Sequence, residues 1–144
     1  MQILQLLGLQ KYNYLKSGYF IFHYMAFNEI LSDRIREALS EQENVVEKRM
    51  FGGICYMVND KMCVGVIGEE MMCRVGEEAF ESALERPGCR EMDFASRPMK
   101  GYVYVSDEGM RTREDFQYWI NLCLAHNPQA NASKKKTATK KAKL

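Results

Sequence analysis

The spacing of apolar residues changes from a helical period to a strand period at about residue 45. From Asn28 to about Gln42, apolar side chains recur every three or four residues, and many of the positions between them are charged. The apolar positions are Phe27, Ile30, Leu31, Ile35, Ala38 and Leu39. This spacing predicts an amphipathic helix with one buried face, and Asn28 is expected to cap its first turn.

Four short segments of alternating pattern follow, and they predict strands over residues 45–51, 53–58, 61–67 and 70–75. Asn59-Asp60 fits a two-residue hairpin turn, because both residues tolerate positive φ. Gly52-Gly53 is interpreted as a bulge or tight bend between strands. A phosphate-binding loop would instead lead from a strand into a helix.

The hairpin turns also predict the register of the sheet. If Val58 pairs with Lys61 and the next turn is Gly68-Glu69, one face of the sheet carries no charge. This face, which we expect to be buried, carries Cys55, Met57, Met62, Val64, Val66, Met71, Cys73 and Val75. The opposite face carries Tyr56, Lys61, Cys63, Gly65, Glu70, Met72 and Arg74.

The rest of the chain predicts a helix over residues 77–86, an irregular segment over 89–98, a strand over 99–106 and a last helix from Thr112 to about His126. Acids at the start of the second helix suit the positive end of its dipole, and Pro87-Gly88 ends it. The predicted order is α-β-β-β-β-α-β-α, with one or two strands before the last helix. We therefore expect an α+β domain whose helices pack on an antiparallel sheet.

Charge divides the chain into three parts. The last eleven residues hold six lysines and no acid, whereas residues 25–133 hold twelve Lys and Arg against nineteen Asp and Glu, a net charge of −7. We expect an N-terminal extension over 1–24, one domain over 25–128 and a disordered tail over 129–144. Met25 is the expected natural start, so that the extension comes from an upstream start codon. The alternative is a genuine, loosely packed extension.

The acidic domain repels phosphate backbones on average, so nucleic acid is expected to bind through the tail alone. The tail lysines are Lys134, Lys135, Lys136, Lys140, Lys141 and Lys143. They would add salt-sensitive affinity without sequence preference, or they would only keep the protein soluble; both alternatives are open. No run reaches the roughly 18 apolar residues of a membrane helix, so no membrane partner is expected.

The five cysteines are odd in number and contain no C-x-x-C pair, which favours reduced thiols in a cytoplasmic protein. Cys55 and Cys73 are expected in the core, and Cys63 is expected to be partly accessible. Zinc needs four ligands in close pairs, and a catalytic thiol needs a neighbouring base. Neither pattern is present in the sequence, so we expect no metal, cofactor or catalytic residue.

Basic residues of the sheet lie beside aromatic residues, and this is the most informative surface pattern. The basic residues are Arg49, Lys61, Arg74, Arg97 and Lys100, and the aromatics are Phe51, Tyr56, Tyr102 and Tyr104. Such a surface suits an acidic or peptide partner. Alternatively, it is a solvated sheet face on which the stems of Lys and Arg cover tyrosine rings.

Five segments resemble the TfoX N-terminal domain family, also called TfoX/Sxy. They are MAFNEILSDRIREAL, RMFGGICYMVNDKMCVGV, MMCRVG, PGCREMDF and RPMKGYVYV, in order from Met25 to about His126. The most specific parts are R-M-F-G-G, residues 49–53, which we call the first motif, and R-P-M-K-G-Y, residues 97–102, the second motif. The resemblance implies an α+β fold similar to that of secretion chaperones.

The family is named for regulators of bacterial competence that act as coactivators with an activator of the cyclic-AMP receptor type. The resemblance therefore implies a cytoplasmic, non-enzymatic role in regulation through a protein partner, such as an activator or the transcription machinery. The full-length regulators continue into a helical C-terminal domain. Here Pro128 leads into the lysine tail, so we expect a stand-alone domain.

The leading hypothesis is a regulatory protein-interaction domain, and the family resemblance implies that it acts as a competence-type transcriptional coactivator. The expected partner-binding residues are Arg49, Phe51, Gly52, Gly53, Arg97, Lys100 and Tyr102. One alternative is a nucleic-acid accessory protein that binds through the tail. Another is a small-molecule-binding domain or enzyme, which a large concave pocket with convergent polar groups would favour.

Overall fold

The computed structural model describes residues 27–132, which form a six-stranded antiparallel sheet with helices on one face. The strands are β1 (Val45–Met50), β2 (Gly53–Val58), β3 (Lys61–Ile67), β4 (Glu70–Arg74), β5 (Cys89–Phe94) and β6 (Arg97–Val105). The helices are α1 (Glu29–Ala38), α2 (Glu77–Leu84), α3 (Asp107–Met110) and α4 (Arg113–His126), followed by a 3₁₀ turn at Asn127–Gln129. The predicted α+β class and element order are confirmed. No helix within the described range is long and apolar enough to cross a membrane.

The strands lie in the order β1-β2-β3-β4-β6-β5, so β1 and β5 are the two edges. The prediction of an irregular segment over 89–98 is wrong, because this segment contains β5 and the turn Ala95-Ser96. Strand β5 is an edge strand in which only Met92 is buried. It therefore lacks the alternation of apolar residues that marks a half-buried strand.

The helices begin where their caps were predicted. The Asn28 side chain accepts a hydrogen bond from the Leu31 amide at 3.0 Å, and Thr112 does the same for the Asp115 amide at 3.1 Å. Helix α1 ends at Ala38, before the predicted end at Gln42. The assignment of Ile30 to its buried face is wrong, since Ile30 is 75% exposed.

A β-bulge in β3 makes the predicted buried face wrong in part. Met57 pairs with Met62 as expected, but Tyr56 pairs with Val64, so Cys63 is an extra residue in β3. Because an extra residue interrupts the two-residue alternation, Met62 and Val64 point to opposite faces of the sheet. Under the helices lie Tyr56, Cys63, Val64, Val66, Met71, Cys73 and Val75.

The other face of the sheet carries a second apolar cluster, which we call the methionine cluster. It consists of Cys55, Met57, Met62, Met72, Met92 and Tyr104, all of them buried. Half-buried residues packed against it are Met50, Phe51, Ile67, Met99 and Tyr102. The sequence prediction placed several of these residues in a single core with the helix-side valines, whereas the sheet separates two cores.

A second, larger bulge bends the β5–β6 hairpin. Glu91 pairs with Val103, but Asp93 pairs with Pro98, so β6 contains three extra residues between these pairs. Gly101 lies in this bulge at φ +89, and its carbonyl accepts hydrogen bonds from the amides of both Val75 and Gly76, at 2.9 and 3.0 Å. The far end of the hairpin, residues 92–100, is called the arm below. It contributes Met92 and Met99 to the methionine cluster and its surroundings.

Candidate interaction surface

The first motif forms the β1–β2 hairpin turn. Phe51 and Gly52 are its two central residues, and both have positive φ, at +57 and +77. Such a turn normally takes Asn, Asp or Gly, because a bulky side chain is strained in the left-handed region. Gly53 follows at a close approach of backbones, where a Cβ would lie 1.9 Å from the Val66 carbonyl oxygen. The interpretation of Gly52-Gly53 as a bend between strands is confirmed.

The second motif forms the bulged part of β6. Its glycine, Gly101, has φ +89, which favours glycine, and a Cβ there would lie 3.2 Å from the backbone of Gly76, closer than ordinary van der Waals contact. Met99 and Tyr102 pack against the methionine cluster, while Arg97 and Lys100 are exposed. The motif therefore combines a backbone bend, two apolar anchors and two exposed cations.

The two motifs approach each other at the tip of the arm. Phe51 of the first motif contacts Phe94, whose strand partner is Arg97, with ring centroids 4.9 Å apart and an edge-to-face angle of 84°. Phe94 is 44% exposed and Phe51 is half-buried. We call Phe51, Phe94, Arg97 and Lys100 the motif surface. Its aromatic centre is continuous with the methionine cluster beneath it.

Not all the predicted residues lie on this surface. Arg49 is exposed on the opposite face of β1, where its guanidinium carbon is 5.6 Å from the centre of the Phe27 ring. Gly53 is buried, so it contributes backbone geometry rather than contact area. The lysines of the tail, at positions 134 to 143, and the predicted extension over 1–24 lie outside the described residues.

Two of the tyrosines are covered by arginine side chains, as the alternative interpretation predicted. The guanidinium carbon of Arg74 lies 5.3 Å from the centre of the Tyr102 ring, and that of Arg90 lies 4.5 Å from the Tyr104 ring. Tyr56 is not exposed to solvent on either face of the sheet. It is fully buried, shares a hydrogen bond with the Ser32 hydroxyl, and donates another to the Ser32 carbonyl oxygen at 3.1 Å.

The cysteines are free thiols, and Cys89 is the most accessible of them. The expectation that Cys63 is partly accessible is wrong, since the bulge turns it into the helix-side core, where it is 1% exposed. Burial raises the pKa of Cys55 to about 12 and that of Cys89 to about 11. These thiols therefore stay protonated near neutral pH and are weak nucleophiles. Within residues 27–132, no three metal-ligating side chains come together.

A polar cavity of about 200 Å³ lies beside the second motif. Its lining includes Arg74, Lys100, Tyr102 and His126. Burial, and then the charge of Arg74, lower the pKa of His126 below its ordinary value. The volume is smaller than the roughly 300 Å³ at which ligand pockets begin. Three larger depressions, of about 410, 510 and 540 Å³, lie along the helices, and no residue of either motif lines them.

Residues 37–127 match the model of the TfoX N-terminal domain family. The chain belongs to this family. No curated protein and no solved structure matches the chain. In this TfoX N-terminal domain, both motifs carry strong backbone constraints, so their residues serve the fold as well as any contact with a partner.

Sequence reasoning missed Phe94, which is central to the motif surface of this TfoX N-terminal domain. It also missed Met92 as a buried residue. Both belong to residues 89–98, for which the sequence pattern predicts an irregular segment. The sequence signal for this hairpin is Ala95-Ser96, a pair of small residues between two short segments of mixed polarity. In the structure this pair forms a two-residue turn in which both φ values are positive.

Proposed function

We propose that this TfoX N-terminal domain protein is a non-enzymatic, cytoplasmic regulatory protein that acts in transcription by binding a protein partner. The motif surface is the contact region, with Tyr102 at its margin. The observation that carries the proposal is the pairing of Phe51 with Phe94 across the sheet. It brings Phe51 of the first motif to Phe94, whose strand partner Arg97 begins the second motif, and so forms one partly exposed aromatic centre.

The composition of this surface suits protein recognition. Aromatic residues and arginine dominate the binding energy of protein interfaces, particularly where an apolar centre is ringed by polar groups. Here Phe51 and Phe94 supply the centre, and Arg97 and Lys100 supply exposed positive charge. Residues 25–133 are acidic overall, so these cations give a local field that favours an acidic segment of the partner.

Backbone strain supports a role for the Phe51 ring beyond turn formation. A phenylalanine at φ +57 is less favourable than asparagine or glycine at the same place. Such strain, of order 1–3 kcal/mol, persists where the surroundings hold it in place and is frequent at functional sites. The aromatic ring at this position therefore supplies contacts that a simple turn residue would lack.

The test is quantitative capture of partners with surface variants. Arg97→Ala combined with Lys100→Ala should reduce capture of the specific partner by about tenfold or more, because interface arginines frequently contribute above 1 kcal/mol. Arg111→Ala is the matched control, since Arg111 is exposed and forms an ion pair with Asp107, four residues earlier in the chain and outside the motif surface. Circular dichroism establishes that each variant is folded. Undiminished capture by the folded double variant would place the contact region elsewhere.

Arg49→Ala is tested separately, because Arg49 lies on the other face of the sheet. If it contributes to the same partner, the contact region extends around the β1 edge. If Arg49→Ala leaves capture unchanged while Arg97→Ala weakens it, Arg49 lies outside the contact region. Either result leaves the motif surface as the centre of the proposed interface.

A second function, binding of nucleic acid through the tail, rests on the concentration of six lysines in the last eleven residues. The acidic net charge of residues 25–133 opposes binding by the domain itself. Removal of residues 134–144 would then abolish binding, whereas the surface variants above would leave it intact. The two functions are therefore separable with the same set of proteins.

A further inference from the structure

Within residues 27–132, no strand pairs with the outer side of strand β1, so this edge can accept a second strand. It is one of the two edges of the sheet, contains no proline, and pairs with β2 without interruption over its six residues. Its four central residues are exposed, and Val46 is 57% exposed. The other edge, β5, is interrupted by a register shift. A regular, exposed edge strand is a template for pairing with another chain.

The backbone groups that face the open edge follow from the hairpin register. Asn59 donates its amide to the Asn44 carbonyl at 3.1 Å, and Met50 pairs with Gly53 around a two-residue turn. In an antiparallel pair, such hydrogen-bonded positions alternate along the strand. Even-numbered residues therefore bond towards β2, and Val45, Glu47 and Arg49 direct their amides and carbonyls outward.

We propose that two copies of this chain pair through antiparallel β1 strands, with Lys48 on the two-fold axis. A two-fold axis normal to the sheet keeps each face on its own side, so residues of equal parity stand opposite each other. Glu47 then faces Arg49 of the second copy, and both carry outward backbone groups. On the other face, Val46 lies opposite Met50 of the second copy.

The charges on β1 favour this strand register over the adjacent register, in which the strands are shifted along each other. Shifting the strands by one step would place Glu47 opposite Glu47 and Val46 opposite Lys48. This shift removes both Glu47–Arg49 pairs and exchanges the Lys48–Lys48 repulsion at the axis for a Glu47–Glu47 repulsion. In the proposed register, two Glu47–Arg49 pairs form on the helix side, and the only like charges are the lysines at the axis. Arg36 already holds Glu47 with two bonds of 2.8 Å, so this carboxylate is fixed in place.

The apolar contacts agree with the same register. Val46 pairs with Met57 of β2, and Met50 packs against the methionine cluster. Opposing Val46 to Met50 of the second copy therefore covers an exposed apolar side chain on each side of the two lysines at the axis. The inference does not depend on the proposed function, since it concerns the purified protein without any partner.

Cysteine cross-linking tests the register directly. The Cys55→Ala/Cys89→Ser background removes the most accessible thiol and the thiol that pairs with position 48 within the same chain. In this background, Lys48→Cys brings two thiols together at a non-hydrogen-bonded pair about 4.5 Å apart between Cα atoms, a distance suited to a disulfide. Glu47→Cys is the matched control, because its counterpart across the axis is Arg49. We expect mild oxidation to give a cross-linked dimer for Lys48→Cys and none for Glu47→Cys. Cross-linking at 47 but not at 48 would overturn the register.

Light scattering of the protein without engineered cysteines tests whether two copies associate in solution. At micromolar concentrations we expect about twice the chain mass of 16.7 kDa.

Arg49→Glu should raise the dimer dissociation constant by about tenfold or more, and adding Glu47→Arg should restore it, because the swap re-creates both opposite-charge pairs. Arg49→Pro, which removes an outward donor, should give monomers that remain folded by circular dichroism. A monomeric mass for the wild type up to about 100 μM would overturn the proposal.

Discussion

Phe51 and Phe94 pack edge to face with ring centroids 4.9 Å apart, although they belong to hairpins at opposite edges of the sheet. This contact is reached because the three extra residues of β6 bend the arm towards the methionine cluster. A straight β5–β6 hairpin would continue away from β1. The bulge at Gly101 and the turn at Phe51 therefore act together to bring Phe51 of the first motif to Phe94, next to Arg97 of the second motif.

Phe94→Ala should destabilise the protein by about 1 kcal/mol. The side chain is partly exposed, so the loss comes mainly from the aromatic pair and from a modest buried area. Denaturant unfolding of Phe51→Ala, Phe94→Ala and the double variant measures the coupling. Ile30→Ala is the control, because Ile30 is 75% exposed and its change should stay within about 0.5 kcal/mol. A coupling energy near zero would contradict the role given to the pair.

Gly53→Ala should lower the free energy of unfolding by at least about 2 kcal/mol, or prevent folding. A Cβ at this position would lie 1.9 Å from the Val66 carbonyl, so the β2–β3 ladder must move. Gly52→Asn is the matched change one residue earlier, where nothing lies within 4 Å and asparagine tolerates φ +77. It should change stability by only a few tenths of a kcal/mol. Equal effects at the two positions would show that the motif is not constrained as described.

Tyr56→Phe should cost about 1–2 kcal/mol, because it leaves the buried Ser32 hydroxyl without its partner. The double variant Ser32→Ala with Tyr56→Phe should be less destabilised than the sum of the two single changes, since both polar groups are then removed. Thermal or denaturant unfolding of the four proteins provides the cycle. Strict additivity would mean that the hydrogen bond contributes no coupling.

Stability should depend on pH through His126. Burial, together with Arg74, lowers its pKa from the ordinary value of 6.5, so the folded state binds fewer protons here than the unfolded chain. The contribution of a neutral His126 is complete above about pH 6.5 and is lost as the pH falls towards the folded pKa. His126→Gln should therefore reduce the loss of stability between about pH 7.5 and pH 5.5. An unchanged pH profile would show that His126 does not titrate with folding.

The parts of the fold that could be predicted depend on local chemistry. The caps at Asn28 and Thr112, the Asn59-Asp60 turn and the bend at Gly52-Gly53 are set by residues next to one another, and all four are present. Strand boundaries follow the apolar alternation, which is strong in β2 to β4. These features need no knowledge of distant contacts.

The two bulges could not be predicted in the same way. Cys63 is compatible with either face of a strand, and only the pairing of β2 with β3 shows that it is an extra residue. The bend at Gly101 depends on hydrogen bonds from Val75 and Gly76, which lie 25 residues or more earlier in the sequence. The division into two cores and the position of Phe94 depend on these bulges. Neither feature could therefore be predicted from the sequence.

The tail provides a separate electrostatic prediction. If six lysines contact phosphates, the logarithm of the binding constant should fall with the logarithm of salt concentration with a slope of up to about −5 for duplex DNA. Titration of the full chain against a duplex at several salt concentrations measures this slope. Deleting residues 134–144 should abolish the binding, and persistence of the slope after deletion would place the cationic contacts in the domain.

Capture of bound proteins from the native host tests most directly whether the motif surface binds a protein partner. The wild type, the Arg97→Ala/Lys100→Ala variant and the protein without residues 134–144 are compared, with bound protein and bound nucleic acid identified together. We predict that a specific partner protein is retained without the tail and lost from the folded surface variant. Retention of that partner by the surface variant, together with its loss on removal of the tail, would contradict the account.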